Sequence, residues 1–246
     1  MKILITNDDG YDADGIWRLC IAAQALGELY VVAPATQQSA MSQAVTFNKH
    51  MTVIERAAPA DSASVVKAYA IENATPATCV KVAVDHLLKE NRPDIVLSGI
   101  NRGYNVGFDI AYSGTIGAAM EAVMNGIPGI AVSCDHTGED HSLEEQVLPG
   151  ILSGLINSPL PKNGIMSVNI PCCGSESFGS ILYDVPITAR NPFTNQCYEH
   201  EDGIIMDGEK QSMENEIGDA RVVETNNISV GFVPCQVLCG DVKPRF

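Results

Sequence analysis

Basic residues are scarce in this chain. Fifteen Lys and Arg stand against 30 Asp and Glu in 246 residues, a formal net charge of −15. A surface of that sign repels nucleic-acid backbones and anionic lipid, so neither a nucleic-acid duplex nor a membrane is an expected partner. A small phosphate ester is still admissible, because a bound cation and helix N-termini supply positive potential locally. Long apolar runs are missing as well: nothing approaches the roughly 18 uninterrupted apolar residues of a membrane span. Only about five residues separate Met1 from Asn7, too few for the apolar core of a signal peptide, and a cytoplasmic location is expected. No C-x-x-C pair occurs among the eight cysteines, and Cys20, Cys79, Cys134 and Cys235 fall in apolar-patterned segments. They read as reduced thiols used as small core residues, in preference to disulfides or a zinc site. Internal repeats, low-complexity tracts and a clean inter-domain linker are also absent.

What is present suits one α/β domain with an appended piece. Hydrophobic residues make up 46% and charged residues 18%, ordinary for a folded chain able to bury a large core. Residues 2–6 predict a buried strand that runs into Asn7-Asp8-Asp9-Gly10. Residues 14–26 carry helical apolar spacing, with Gly27 as a stop. Strands are predicted at 29–33, ended by Pro34, and at 65–71. Thr75 as N-cap and Pro76 in the first turn open a helix through about Leu88. Residues 94–98 predict a strand leading into a Gly/Asn-rich loop. A helix from about Gly114 to Met124, a strand at 129–133 and a helix at 142–157 follow. This alternation predicts a Rossmann-like α/β fold, a three-layer parallel sheet with helices on both faces. After Pro171, strand-like runs at 179–187 and 228–238 are separated by long polar connections with no clear helix. The expected organisation is a core over 1–171 and a C-terminal antiparallel extension over 172–246.

In such a sheet, ligands bind beyond the carboxyl ends of the strands. Three polar loops occupy such positions: residues 7–10, 34–43 and 99–113. Adjacent carboxylates at a strand end raise one another's pKa, and a cation removes the conflict. Asp8 and Asp9 are hard oxygen ligands matched to Mg²⁺, Mn²⁺ or Ca²⁺. Asn-Asp-Asp-Gly is also good turn chemistry, and the tetrapeptide alone leaves both readings open. Glycines of the third loop allow close approach of backbone to a ligand. Ser113-Gly114-Thr115 opens a helix, where free N–H groups and the dipole favour an anion, and Asn101 could offer a neutral oxygen to a metal. The second loop contributes Ser39, Ser42 and the amides around Ala40, which matter only if that loop folds over the acid pair. His136 and His141 lie in a run, 135–141, that reads as a solvated loop before it reads as a second metal site. Trp17 reads as core.

Taken together, these segments resemble the SurE family (survival protein E, 5′/3′-nucleotidases). The opening pattern is carried by Ile5 to Ile16, with its Asn7-Asp8-Asp9-Gly10. Ala33 to Ser42 matches the second loop, and Pro93 to Glu121 matches the long Gly-x-Asn-x-Gly-x-Asn-x-Gly-x-Asp signature followed by Tyr112-Ser113-Gly114-Thr115. Gly126-Ile127-Pro128, Ile130 to Ser133 and Ser167 to Pro171 continue the likeness, which becomes patchy beyond 171. The resemblance implies a hydrolase, a metal-dependent phosphomonoesterase acting on nucleoside monophosphates, with some members also trimming short polyphosphate. It implies one divalent cation per subunit, Mg²⁺ or Mn²⁺ with Ca²⁺ as a substitute, on Asp8, Asp9, Ser39 and Asn101. Phosphate would lie against Ser39, Ala40, Asn101, Ser113, Gly114 and Thr115. Asp8 would orient or deprotonate the attacking water. Homodimers or homotetramers are implied, with the C-terminal part as an arm and hairpin reaching a partner subunit.

Three positions depart from the family pattern. Ala40 stands where a glycine usually follows the loop serine, and Ala74 and Thr78 replace a glycine and an acid in the segment Ala74-Thr75-Pro76-Ala77-Thr78-Cys79. Two other readings compete with a nucleotidase. One is a receiver-like regulatory module phosphorylated on aspartate, which needs only about half this length. The other is a degenerate member that binds nucleotide without turnover.

Overall fold

A computed structural model of the chain describes residues 1–135, 140–171 and 173–238. Its elements run β1 (Lys2–Thr6), α1 (Asp14–Ala23), β2 (Glu28–Pro34), β3 (Thr52–Glu55), β4 (Val65–Glu72), α2 (Pro76–Val82), β5 (Ile95–Arg102) and α3 (Gly114–Met124). They continue with β6 (Gly129–Cys134), α4 (Ser142–Ile156), β7 (Gly164–Ile170), β8 (Ile181–Leu182), β9 (Gln196–His200), β10 (Gly203–Asp207), α5 (Asp219–Glu224) and β11 (Ile228–Pro234). One nine-stranded sheet has the order β3-β4-β2-β1-β5-β6-β7-β11-β8, and β9 and β10 pair separately. The strands from β4 to β7 in that order are mutually parallel. β3 and β11 add antiparallel on β4 and β7. The fold is α/β, as the alternation predicts. From β1 the chain builds outward to β2 and β4, and from β5 outward the other way. The carboxyl ends of β1 and β5 therefore flank the point where strand order reverses.

The apolar run of β1 is buried on both faces. Ile3 and Ile5 pack with Leu19, Cys20, Leu148 and Leu152 on one side, and Leu4 packs with Val80, Ala83, Ala118 and Ala122 on the other. Each buried Ile, Leu or Val among these stabilises the fold by about 1.5–3 kcal/mol, which is why helices must cover both faces. Helix starts follow local chemistry. Thr75 Oγ1 accepts from Thr78 N (3.2 Å) with Pro76 at the first position of α2, and Ser113 Oγ accepts from Ile116 N (3.1 Å) at α3. Cys20, Cys79, Cys134 and Cys235 are buried, while Cys172 and Cys239 lie outside the described residues. Trp17 packs at the edge of the core and donates Nε1–H to Tyr11 O (3.1 Å).

Several boundaries differ from those predicted. α1 stops at Ala23, because Gln24 N and Leu26 N bond back three residues, to Ile21 O and Ala23 O, tightening the chain out of the helix. α2 ends at Val82, and a π turn over Ala83–Leu87 carries the chain on. β5 runs past 98. After an irregularity between Ser98 and Asn101, Asn101 and Arg102 pair again with Ser133 and Cys134, so these two residues are held on the sheet and not in a loop. The run at 179–187 yields only the short β8, and that at 228–238 ends as strand at Pro234, which has no N–H to continue a ladder. α5 was not predicted; six residues are too few to display apolar periodicity.

Residues beyond 171 fall into two groups. β11 lies along β7 from Gly164 to Asn169 within the main sheet, while β9 and β10 form a hairpin exposed along its whole length. Asp219 ties this segment to the core. Its carboxylate, 5% exposed, accepts from the N–H groups of Gly107 (3.1 Å), Thr188 (2.9 Å) and Ala220 (2.8 Å). Asp219→Ala leaves these buried donors without an acceptor, and the unfolding free energy is expected to drop by about 3 kcal/mol, read from urea denaturation. An unchanged midpoint would show that the Gly107 loop is held by other contacts.

Candidate active site

The turn after β1 is built by Asn7. This fully buried side chain donates from Nδ2 to Gly10 O (2.9 Å) and accepts at Oδ1 from Gly10 N (3.2 Å). Turn chemistry and the acid pair are thus one device, in which the turn presents Asp8 and Asp9 beyond the strand end. Gly10 has φ +100°, and a Cβ there would lie 3.1 Å from the Thr36 carbonyl carbon, so the second loop packs directly on the turn.

Asp8 is 4% exposed. Its Oδ1 accepts from Thr115 Oγ1 (2.7 Å) and its Oδ2 from Thr115 N (3.2 Å). A Cβ on Gly114 would sit 2.9 Å from Asp8 Cβ and 3.0 Å from Oδ2, so the start of α3 comes as close to the carboxylate as a glycine permits. Burial pushes the Asp8 carboxyl up to about 6, with the Thr115 hydroxyl pulling it down and the charge of Asp9 pushing it up. Asp9 is also raised, chiefly by burial, against hydrogen bonds from Arg102 N and Gln37. The first-turn donors of α3 are already divided: Thr115 serves Asp8 and Ile116 N serves Ser113.

The second loop does fold onto the acid pair. Gln38 N donates to Asp8 O (2.6 Å), and the Gln37 side chain bonds Asp9 and donates to Ser39 Oγ (3.0 Å). Further along, Ser42 donates to Tyr112 O and Ala111 O (2.9 Å each). Ser39 and Ala40 are exposed, and Ala40 has φ +58°. The base of the loop rests on α2: Thr46 N donates to Thr78 Oγ1 (2.8 Å), and Thr75 Oγ1 donates to Ala44 O (2.5 Å). Thr78 thus supplies an acceptor where the family pattern has an acid.

From β5, Arg102 N donates to Asp9 Oδ2 (3.0 Å), while the Arg102 side chain is exposed. Asn101 donates from Nδ2 to Gly103 O (2.8 Å), which leaves its amide oxygen without a donor among the described residues. Below it, Asn105 Nδ2 reaches Ser133 Oγ (2.7 Å) and Asn105 N reaches Asn169 Oδ1 (2.8 Å), a buried network that pins the loop to β6 and β7. Thr6 Oγ1 and Ser98 Oγ, register neighbours on β1 and β5, are buried with no hydrogen-bond partner among the described residues.

Hydrogen bonds and close packing therefore join Asp8, Asp9, Arg102, Gly114 and Thr115, with Asn101 next to Arg102 on β5. Ser39 is linked to Asp9 through Gln37, and among the described residues no hydrogen bond joins Ala40 to these groups. Gln37 and Gln38 fall inside the Ala33 to Ser42 match but are not singled out as site residues by the sequence, since nothing local distinguishes their amides from solvated loop groups. His136 lies outside the described residues. His141 Nε2 is 4.0 Å from Asp14 Oδ2, beside the Arg18–Glu144 ion pair (3.2 Å), within the α1–α4 contact. Among the described residues no group of three or more His, Cys, Asp or Glu could hold a metal ion, so the donors at β1 are two carboxylates with neutral oxygens around them.

The family model for survival protein SurE matches residues 3–190. The 5′-nucleotidase SurE of Thermoanaerobacter sp. (strain X514) is 43% identical over 173 residues, covering 70% of this chain and 66% of that protein. That of Myxococcus xanthus (strain DK1622) is 37% identical over 202 residues, covering 82% and 72%. The chain thus spans about two thirds of the length of these curated relatives. The crystal structure of the SurE protein from Aquifex aeolicus superposes with a TM-score of 0.79 at 30% identity, covering 96% of this chain and 94% of that one.

The Asp8 carboxyl makes stability depend on pH. Its folded pKa of about 6 lies above the 3.8 of a free aspartate carboxyl, so the protonated form stabilises the fold fully below pH 3.8. That contribution, roughly 3 kcal/mol for about two pK units, is lost as pH rises through 6. With chelator present, stability is expected to fall over this range relative to Asp8→Asn; a constant difference would mean that the carboxylate is solvated. Ala40→Gly relieves a left-handed backbone and is expected to stabilise by about 0.5–1 kcal/mol in thermal denaturation. A loss of stability would show that the alanine methyl packs favourably.

Proposed function

The chain belongs to the SurE family, and from this we propose that it is a divalent-metal-dependent phosphomonoesterase, a 5′-nucleotidase acting on nucleoside monophosphates. One observation carries the reading. At the carboxyl ends of β1 and β5, two adjacent carboxylates are raised in pKa mainly by burial, while main-chain donors from β5 and α3 hold them in place. Such a pair fits a hard divalent cation, because ionisation of both acids in a buried site needs positive charge beside them. The Asn101 amide oxygen, on the strand whose Arg102 N–H holds Asp9, adds a neutral oxygen donor. Asp8, Asp9, Asn101 and the hydroxyl of Ser39 would hold Mg²⁺ or Mn²⁺, with Ca²⁺ as a substitute. When bound, the cation would neutralise charge on the phosphoryl group and lower the pKa of water.

Asp8 is the group proposed to orient the attacking water and accept its proton. Its position is set by two hydrogen bonds from Thr115, and burial raises its carboxyl to about 6 in the absence of a cation. Thr115 thereby acts on Asp8 first. Ester oxygens would be received by Ser39, the amide of Ala40, the side chain of Asn101, and Ser113 and Gly114 at the helix start. Short polyphosphate is a second candidate substrate of the same site. For the chain as a whole we propose a core over 1–171 and a C-terminal segment that mediates a homodimer or homotetramer. The exposed Ile204 and Met206 of the hairpin, 76% and 70% accessible, support that role. Among the described residues no helix is long and apolar enough to cross a membrane, and a cytoplasmic location is proposed.

Phosphate release from nucleoside monophosphates, with Mg²⁺, Mn²⁺ or chelator, tests the reading. Metal-dependent multiple turnover is expected, with Asp8→Asn slower by about a hundredfold or more. A single stable phosphorylation would instead support a receiver-like module, and silence with every metal a binding-only member. Thr115→Val removes a hydrogen bond to a charged group, worth about tenfold or more in kcat, and should move the acid limb of the pH profile upward as the Asp8 pKa rises. A change confined to KM would return Thr115 to direct phosphate contact.

A further inference from the structure

Next to Asn101 the chain forms one wall of a cavity of about 300 Å³. That wall includes Gly103, Tyr104 and Asp109, and the facing wall comes from beyond residue 171, with Phe193, Lys210 and Glu224. It begins at Gly103, whose carbonyl accepts the Asn101 amide. Tyr104 packs on a buried apolar cluster of Val106, Met213, Ala220 and Val223, so one side of the cavity is apolar. Lys210 Nζ stands 5.8 Å from the Tyr104 ring centroid, and Phe193, 39% exposed, is bridged to Lys210 through the main chain. The Glu224 carboxylate is already taken by Met213 N and Arg221. Asp109 is half-buried, and its carboxylate accepts no hydrogen bond from a described residue; burial raises its pKa.

We propose that this cavity seats the nucleoside of the substrate, the base against Tyr104 and Phe193 and the ribose hydroxyls donating to Asp109. The assignment rests on the reading that the ester phosphate lies at Asp8 and Asp9. The phosphate end would enter beside Gly103, which Asn101 touches; Asp109 follows on the same wall, whereas Phe193 comes from the facing wall. A nucleoside monophosphate presents its parts in that order: phosphate, ribose, base. Bases stack on aromatic faces whatever their identity, and a carboxylate is a fitting acceptor for a vicinal diol. A larger cavity, of about 600 Å³, lies on the other side of the loop against Phe108 and Tyr112. Its described lining residues, Ser42 and Ser113 among them, include no charged side chain and so offer a ribose no ionised acceptor; a base seated there is the outcome that Tyr112→Ala reads.

The test uses the full chain with Mg²⁺, adenosine and inorganic phosphate as separate probes, and affinities from NMR titration. Phe193→Ala is expected to weaken adenosine about tenfold or more while leaving phosphate within about twofold. Asp109→Asn is expected to weaken adenosine severalfold and leave 2′,3′-dideoxyadenosine unchanged. Unaltered adenosine affinity in both variants, equal loss of both probes, or loss only with Tyr112→Ala overturns the assignment. Parallel assays of phosphate release separate it from the reading it rests on. Adenosine binding that responds to Phe193→Ala, in a protein that hydrolyses no ester, refutes the activity alone. Turnover of AMP with KM unmoved by either variant refutes the cavity alone.

Discussion

Two carboxylates on consecutive residues at the end of a buried strand form the constraint around which this molecule is organised. Asp8 is almost removed from water, yet both of its oxygens are engaged by Thr115, and Asp9 is engaged by the backbone of Arg102. Those donors lower the penalty of burial without removing it, which is why both acids remain raised in pKa. Neighbouring geometry serves the same end. A glycine at 114 lets α3 reach the carboxylate, a glycine at 10 lets the second loop reach the turn, and Asn7 closes that turn from within.

Sheet topology makes the convergence possible. β1 and β5 are adjacent and parallel, so the residues that follow them emerge side by side at the point where strand order reverses. Asn101 and Arg102 gain further definition by re-pairing with β6 after the irregularity in β5. Behind them, buried polar contacts hold the long loop: Asn105 with Asn169 and Ser133, and Asp219 with the amides of Gly107 and Thr188. The last third of the chain is in this way continuous with the core, and it supplies one wall of the cavity next to Asn101.

A net charge of −15 is compatible with binding an anionic ester because local fields outweigh the distant average. Helix α3 points its N-terminus at Asp8, and a divalent cation on two carboxylates would leave the immediate site close to neutral. The second loop shows how a family pattern tolerates change. Thr78 holds the loop base through a hydroxyl in place of an acid, and Ala40 takes a left-handed conformation at some backbone cost.

What the sequence determined by itself was whatever local chemistry dictates. The apolar run of β1, the Asn-Asp-Asp-Gly turn, the caps at Thr75 and Ser113 and the strand–helix alternation are each written in a few neighbouring residues, and the α/β architecture follows from them. Only the tertiary structure decided which donors meet which acids. Arg102 reaches Asp9 across 93 positions, Thr115 reaches Asp8 across 107, and Gly107 reaches Asp219 across 112. Gln37, the six residues of α5 and the hairpin at β9 and β10 carry no periodic or capping signature strong enough to read. Contacts between distant segments depend on how whole elements pack, and no window of sequence contains both partners.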